Sequence, residues 1–309
     1  MQNILITGGT GLVGTKLIEL LLLKGYSVTV ITRNINPINR NPAVKYALWD
    51  IEKDFIDIAA IQEADFIIHL AGSGVVEKKW TKAYKNEIVD SRIKSSDLIV
   101  NSLKKITHKV KAIISSSAIG WYGADSKSSY AFKETDLNEN SFLGNTCRDW
   151  EESITEASQL GIRICKLRTG IVLSNKGGAL AEFIKPINYG IAAILGNGNQ
   201  MVSWIHIEDL CRLFIYTIEN DQLEGSFNAV APRPVSNKTL TLTLATVLRR
   251  NFFIPIHVPI FLLKIIMGER SIEVLKSTTV SCDKIKELGF TFYYPSIEPA
   301  LKDLFSTKL

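Results

Sequence analysis

Three glycines, Gly8, Gly11 and Gly14, close the apolar run that begins at Ile4 and open the helix-forming stretch Leu17 to Leu23, so that residues 4–14 read ILITGGTGLVG. A β-branched strand that stops at clustered glycines and resumes as a helix exposes backbone amides at the helix start, and such amides suit a pyrophosphate. The chemistry expected is dinucleotide binding, with Gly8, Thr10, Gly11, Leu12, Val13 and Gly14 around the phosphates. An NAD site places an acidic residue at the end of the second strand to receive the ribose hydroxyls. Here that strand ends VITRN, with Arg33 and no Asp or Glu. A guanidinium pairs with a 2′-phosphate through two hydrogen bonds, so NADP(H) is expected in preference to NAD(H), with Arg40 available to share the role. Asp50 either contacts adenine or caps a turn. Leu70, Ala71 and Gly72 are small enough overall to let the chain pass beneath a flat cofactor, and Ser115 joins them from the segment SSSAIGWYG at 115–123. His69 reads equally as a packing residue or a ligand, and the four scattered histidines form no metal grouping.

These residues need a frame, and the order of elements predicts one. Apolar strands at 4–7, 28–32, 45–48, 66–70, 111–116 and 162–167 alternate with helical stretches at 12–24, 85–104 and 146–159, the pattern of a parallel sheet covered on both faces. Pro186 is expected to interrupt the glycine-richer segment 177–198. A helix is expected after His206, a strand at 226–230, and helices at 238–249, 259–267 and 281–288. The fold class is therefore α/β, a Rossmann-type doubly wound parallel sheet with a smaller, mainly C-terminal substrate lobe. The expected division is a nucleotide-binding domain over 1–173, completed by part of 205–230, and a substrate lobe with a C-terminal module over 174–204 and 231–309.

At 309 residues, with 46% apolar and 22% charged residues, the chain can bury a large core. The excess of 36 basic over 31 acidic residues is dispersed, so no nucleic-acid partner is expected. Cys147, Cys165, Cys211 and Cys282 include no CxxC pair, and no secretory signal or bilayer-spanning run stands out. Reduced thiols, a cytoplasmic location and no membrane partner are the expectations.

Together GGTGLVG, HLAG at 69–72, SSSAIGWYG and SWIHIEDL at 203–210 resemble the extended short-chain dehydrogenase/reductase superfamily. More narrowly, TCRDWEE at 146–152, RTGIVLSNKGGAL at 168–180, FNAVAPRPVSNK at 227–238 and the LGFTFYYPSI ending are similar to its atypical "epimerase family" branch, which carries a characteristic C-terminal module and the name of nucleoside-diphosphate-sugar epimerases. Ordinary members of the superfamily use a Ser after the fifth strand and a Tyr-x-x-x-Lys pair on the next helix. The resemblance makes Ser117 that serine, but puts Cys147 where tyrosine is expected and Glu151 where lysine is expected. None of the nine tyrosines has a lysine four residues beyond it.

A carboxylate one helical turn from a thiol disfavours the thiolate, the reverse of what lysine does for tyrosine. Cys147 is thus a proton relay, an uncharged cofactor-lining residue or a packing residue, and Arg148 is a candidate to offset Glu151. Tyr122 offers a phenol in a loop leaving the sheet. Trp121, Arg168, Asn199 and Trp204 are the candidate substrate contacts, with Lys166 beside Arg168 on one strand face. For His206 and Asp209, a cap and a buried hydrogen bond explain the residues as well as catalysis does. Two functions remain open at this level. One is hydride transfer or epimerisation with NADP(H) on a small molecule of the sugar-nucleotide class, by a monomer or homodimer. The other is an NADP(H)-sensing binding protein whose catalytic pair has been dismantled.

Overall fold

A computed structural model describes residues 1–34, 41–125 and 130–306, which leaves Arg40 outside the described residues. The first half of the chain forms β1 (Asn3–Thr7), α1 (Leu12–Leu23), β2 (Ser27–Thr32), β3 (Val44–Asp50), β4 (Phe55–Ile56), α2 (Ile58–Gln62), β5 (Phe66–His69), α3 (Lys82–Lys105), β6 (Ala112–Ala118), α4 (Phe142–Thr155) and β7 (Arg163–Thr169). There follow β8 (Ile171–Leu173), α5 (Ala179–Asn188), β9 (Ile191–Leu195), β10 (Met201–Val202), β11 (Trp204–His206), α6 (Ile207–Glu219), β12 (Gly225–Ala229) and β13 (Val235–Ser236). The C-terminal part adds α7 (Asn237–Arg249), β14 (Ile254–Val258), α8 (Ile260–Met267), α9 (Ser271–Leu275), α10 (Asp283–Glu287) and α11 (Ile297–Phe305).

Eight strands make one sheet in the order β12-β7-β6-β5-β1-β2-β3-β4, parallel except for β4. The chain leaves β1 toward β2 on one side and returns to β5 on the other, so a crevice opens at the C-terminal ends of β1 and β5, where open α/β sheets bind ligands. Both faces are buried. Ile4 and Ile6 pack toward α1 and α6, and Leu5, Ile67 and Ile113 pack toward α3 and α4. Accordingly β1 is buried at all five positions, the continuous apolar pattern of a central parallel strand.

Local signals explain most element limits. α1 buries Gly14, Leu17, Ile18 and Leu21, one stripe at helical spacing. α3 starts at Lys82 because the Thr81 side chain accepts the Tyr84 N–H. α4 starts four residues earlier than the periodicity predicts, because Ser141 accepts the Gly144 N–H and nucleates the first turn. Pro186 does not interrupt α5 but lies in its last turn. The small parallel pair β9–β14 was not anticipated: glycines flank β9, and Pro255 and Pro259 obscure β14 in the sequence. Residues 293–294 are tied back to α6 by the fully buried Asp209, which accepts the N–H groups of Tyr293 and Tyr294 at 2.8 Å each and also pairs with Arg212. Among the described residues no helix is long and apolar enough to cross a membrane.

Candidate functional site

The crevice is built by steric necessity around the three glycines. Gly8 has φ +66°, and a Cβ there would lie 2.8 Å from the carbonyl carbon of Leu70. A Cβ on Gly14 would lie 2.5 Å from the Gly8 oxygen, so glycine is what lets α1 close against the end of β1. Gly11 is the helix N-cap, in extended backbone and solvent-exposed, and no side chain caps α1. Thr10 is likewise exposed, with Leu12 and Val13 half-buried in the first turn, which holds no acidic residue. The helix start therefore keeps backbone donors and the positive end of its dipole available to an anion.

The two loops that meet in the crevice are locked by a buried polar chain. The Thr7 hydroxyl oxygen accepts the N–H groups of Leu70 at 3.1 Å and Ala71 at 3.2 Å and contacts His69 Nδ1 at 2.7 Å. Ser95 and Ser96 give their hydroxyl protons to backbone carbonyls of α3, so each accepts from His69 Nε2. That sets the tautomer: Nε2 carries the proton and Nδ1 accepts from Thr7. Burial, aided by the nearby Arg92 charge, pushes His69 down to about 3, so the ring is neutral. The packing reading of His69 is the one the geometry supports.

Arg33 stands exposed just past β2. Asp50 caps the turn after β3: its carboxylate accepts the Glu52 N–H at 3.1 Å and pairs with Lys53 at 3.2 Å. Ser115 is fully buried, and its hydroxyl donates to the Ser116 carbonyl at 3.0 Å.

Glu151 is the hub of the expected catalytic cluster. Its Oε1 accepts from Ser117 at 2.6 Å and from Arg168 Nε at 2.8 Å, and its Oε2 accepts from Arg168 at 3.0 Å and from Ser226 at 3.0 Å. The ion pair is bidentate and almost wholly buried. Arg168 also donates to the Tyr122 hydroxyl at 3.0 Å and to the Glu134 carbonyl at 3.2 Å, while its guanidinium lies 3.6 Å above the Trp121 ring centre. Tyr122 donates in turn to Asn228 at 2.7 Å. Burial pushes this phenol up to about 12 against the pull of Arg168, and the side chain has no exposed surface. Ser117, Tyr122, Glu151 and Arg168 do converge, then, but as a saturated buried network. That corrects Tyr122 as a phenol reaching into the cleft and Arg168 as a free anion contact: burial and four elements' worth of partners hold them in place.

Cys147 faces another way. It lies against Gly120, where an added Cβ would sit 3.6 Å from the sulfur. Burial pushes the thiol up to about 12, Arg92 pulls it down, and Glu151 adds to the rise. It is a protonated thiol at neutral pH. Arg148 does not offset Glu151, because it is turned outward onto Asp149 and Glu152. The nearby cation is Arg92 on α3, which sequence reasoning missed. Its guanidinium packs over Gly72, where a Cβ would lie 3.2 Å from the guanidinium carbon, and it sits 5.0 Å from the Trp150 ring centre. Among the described residues its one side-chain hydrogen bond goes to the Ile88 carbonyl at 2.8 Å and it has no carboxylate within ion-pair distance. Gly72 thus leaves room for Arg92, whose side chain would have to shift by a few tenths of an ångström to admit a Cβ. Only a lone arginine twenty residues past Gly72, within a helix, marked it in the sequence.

The remaining candidates are structural or peripheral. Trp204, a candidate substrate contact, is fully buried and donates its indole N–H to the Arg233 carbonyl at 3.0 Å, so the ring offers no surface in this structure. Asn199 is exposed in a turn whose backbone N–H bonds to Asn197. His206 caps α6, its Nδ1 accepting the Glu208 N–H. Lys166 donates to Thr155 at 3.1 Å and lines, with Trp121, Glu151, Arg168 and Ser226, an open groove of about 460 Å³ beside β12. Three strands, β7, β6 and β5, stand between β12 and β1, and none of the glycine-turn residues lines that groove.

Comparison with known proteins follows the same outline. Residues 4–229 match the model of the NAD dependent epimerase/dehydratase family, and residues 258–304 match a domain of unknown function, DUF1731. An epimerase family protein of Staphylococcus aureus is 35% identical over 306 residues, covering 99% of this chain and 100% of the relative. One from Staphylococcus haemolyticus is 34% identical over 98% of this chain and 99% of its own. The crystal structure of the human epimerase family protein SDR39U1 (isoform 2) with NADPH is similar with a TM-score of 0.84 and 25% identity, over 98% of this chain and 99% of that one. The nucleoside-diphosphate sugar epimerase from Corynebacterium glutamicum gives a TM-score of 0.77 and 29% identity, over 98% of this chain and 58% of that one.

Proposed function

The chain belongs to the NAD-dependent epimerase/dehydratase family, and from that premise we propose that it binds NADP(H) and acts as an oxidoreductase or epimerase on a carbonyl or alcohol of a small molecule of the sugar-nucleotide class. The observation that carries the reading is the β1–α1 crevice, where Gly8 and Gly14 permit an approach that any Cβ would block and the helix start is left uncapped. Gly11 and the first turn of α1 would hold the diphosphate, and Arg33 the 2′-phosphate. The NADPH in the human relative supports the second assignment. The nucleotide, when bound, supplies or accepts hydride.

The residues of this chain do the rest without the usual pair. Glu151 keeps Ser117 and Arg168 fixed and accepts the Ser117 hydroxyl hydrogen bond, which turns that O–H toward the carboxylate. Arg92 provides the positive charge that lysine provides elsewhere, and it does so from a different helix. A guanidinium with no carboxylate partner stabilises negative charge developing on a substrate oxygen beside Gly72, and in a water-poor site one such donor contributes about 10²–10³-fold to rate. Cys147, protonated and adjacent, is the nearest S–H to give that oxygen a proton.

One observation favours the other reading, an NADP(H)-sensing binding protein: Ser117 is committed to Glu151, and Tyr122 and Cys147 both hold their protons up to about pH 12. Fluorescence titration with NADPH and NADH tests the cofactor assignment. The expected result is NADPH at least tenfold tighter, with Arg33→Ala abolishing most of the difference. Equal affinities would remove the 2′-phosphate assignment, and no uptake of either would remove the whole reading. Turnover of NADPH against a panel of keto-sugar nucleotides then separates enzyme from sensor, since a sensor binds the cofactor and consumes none.

A further inference from the structure

We propose that β14 and α8 form a self-association face, and that its occupant is a second copy of this chain. α8 reads IFLLKIIM, and only Leu263 in it is buried. Phe261, Ile265 and Ile266 are 66%, 71% and 59% exposed. β14, which leads into α8 through Pro259, presents Ile254 and Ile256 at 66% and 44% exposure. A helix whose only polar side chain is one lysine belongs largely in an interior, yet this one buries Leu263 alone.

With flanking Phe252 and Ile272, also exposed, the face offers on the order of 900 Å² of apolar side chain. The largest apolar patch on a typical monomer is about 300–600 Å², and each partner in a standard interface contributes about 800 Å². That total, summed over both elements and the two flanking residues, is comparable with what one partner of a standard interface contributes. The face is also held in place: the turn after α8 is anchored to the nucleotide-binding half by Arg270, which donates to the Val76 carbonyl, and by the Glu269–Lys85 ion pair.

Chemistry selects the occupant. Across β14 and α8 the only Lys, Arg, Asp or Glu is Lys264, so there is no charge pattern by which a different protein would be recognised. A helix that lies on a membrane surface carries a strongly basic polar face, which one lysine does not make. Interfaces between identical subunits are the most apolar class, and a two-fold axis lets the same patch meet itself. The contact is between side chains rather than strand edges. The Ile254 N–H bonds to Gly190 on the β9 side, so the outward edge of β14 falls to Pro255 and His257, and proline has no N–H to offer a new strand.

Light scattering coupled to gel filtration, on the full chain at tens of micromolar, tests this without regard to nucleotide. The expected mass is twice 34.4 kDa. Phe261→Glu with Ile265→Glu, at exposed positions, should return it to 34.4 kDa with unchanged circular dichroism and NADPH affinity, and Ile256→Lys should do the same from the strand side. A single-chain mass for the unmodified protein overturns the proposal. So does a dimer that survives both variants, or a monomer that floats with phosphatidylserine vesicles.

Discussion

Glu151 and Arg168 show how one buried ion pair can fix the role of several neighbouring side chains. The Glu151 carboxylate draws Arg168 from β7, Ser117 from β6 and Ser226 from β12 into one buried cluster. Removing one partner of such a pair leaves an uncompensated buried charge and costs about 3–5 kcal/mol, whereas replacing both by apolar groups of similar size is often neutral. Glu151→Gln is therefore expected to lower unfolding free energy in urea by about 3 kcal/mol, with Glu151→Met/Arg168→Met recovering most of it. A Glu151→Gln protein of unchanged stability but lost turnover would mean the carboxylate acts on substrate and does not merely hold its neighbours.

At the scale of elements, the turn between β1 and α1 assigns a different duty to each glycine. Gly14 closes the helix onto the strand, where a Cβ would meet the Gly8 oxygen at 2.5 Å, while Gly11 is exposed and its Cβ would meet that oxygen only at 3.3 Å. Overpacking of the first kind costs about 1–3 kcal/mol. Gly14→Ala should thus lower the melting temperature of the nucleotide-free protein, and Gly11→Ala should leave it nearly unchanged while weakening NADPH at least tenfold. Scanning calorimetry without nucleotide, followed by titration, separates the two. Equal destabilisation by both would mean that the turn is simply a structural bend.

For the molecule as a whole, the buried histidines are expected to lower stability in acid. His69 is neutral in the folded protein with its value lowered to about 3, against an unfolded value of 6.5. The unfolded chain therefore takes up a proton that the folded chain refuses as pH drops below 6.5, and stability falls through the window from there toward 3. The loss is about 2 kcal/mol at pH 5. His206, lowered chiefly by burial and opposed by Asp303, acts in the same direction. Urea unfolding at pH 7 and pH 5 should show the drop, and His69→Gln should remove most of its pH dependence. A flat profile for the unmodified protein between those values would contradict the neutral buried ring.

Strand and helix order and the glycine turn were legible in the chain because each is a local pattern: alternation, helical stripes, and residue types at fixed short spacing. The limits of α4 and the β9–β14 pair were less so, since a serine cap and two prolines outweighed periodicity there. What the side chains at the site do was decided by tertiary structure alone. Arg92, Cys147 and Gly72 lie on a helix, another helix and a loop, and Glu151 gathers partners from three strands. Charge neutralisation and burial depend on distances across the sheet, and such distances arise only when the sheet closes.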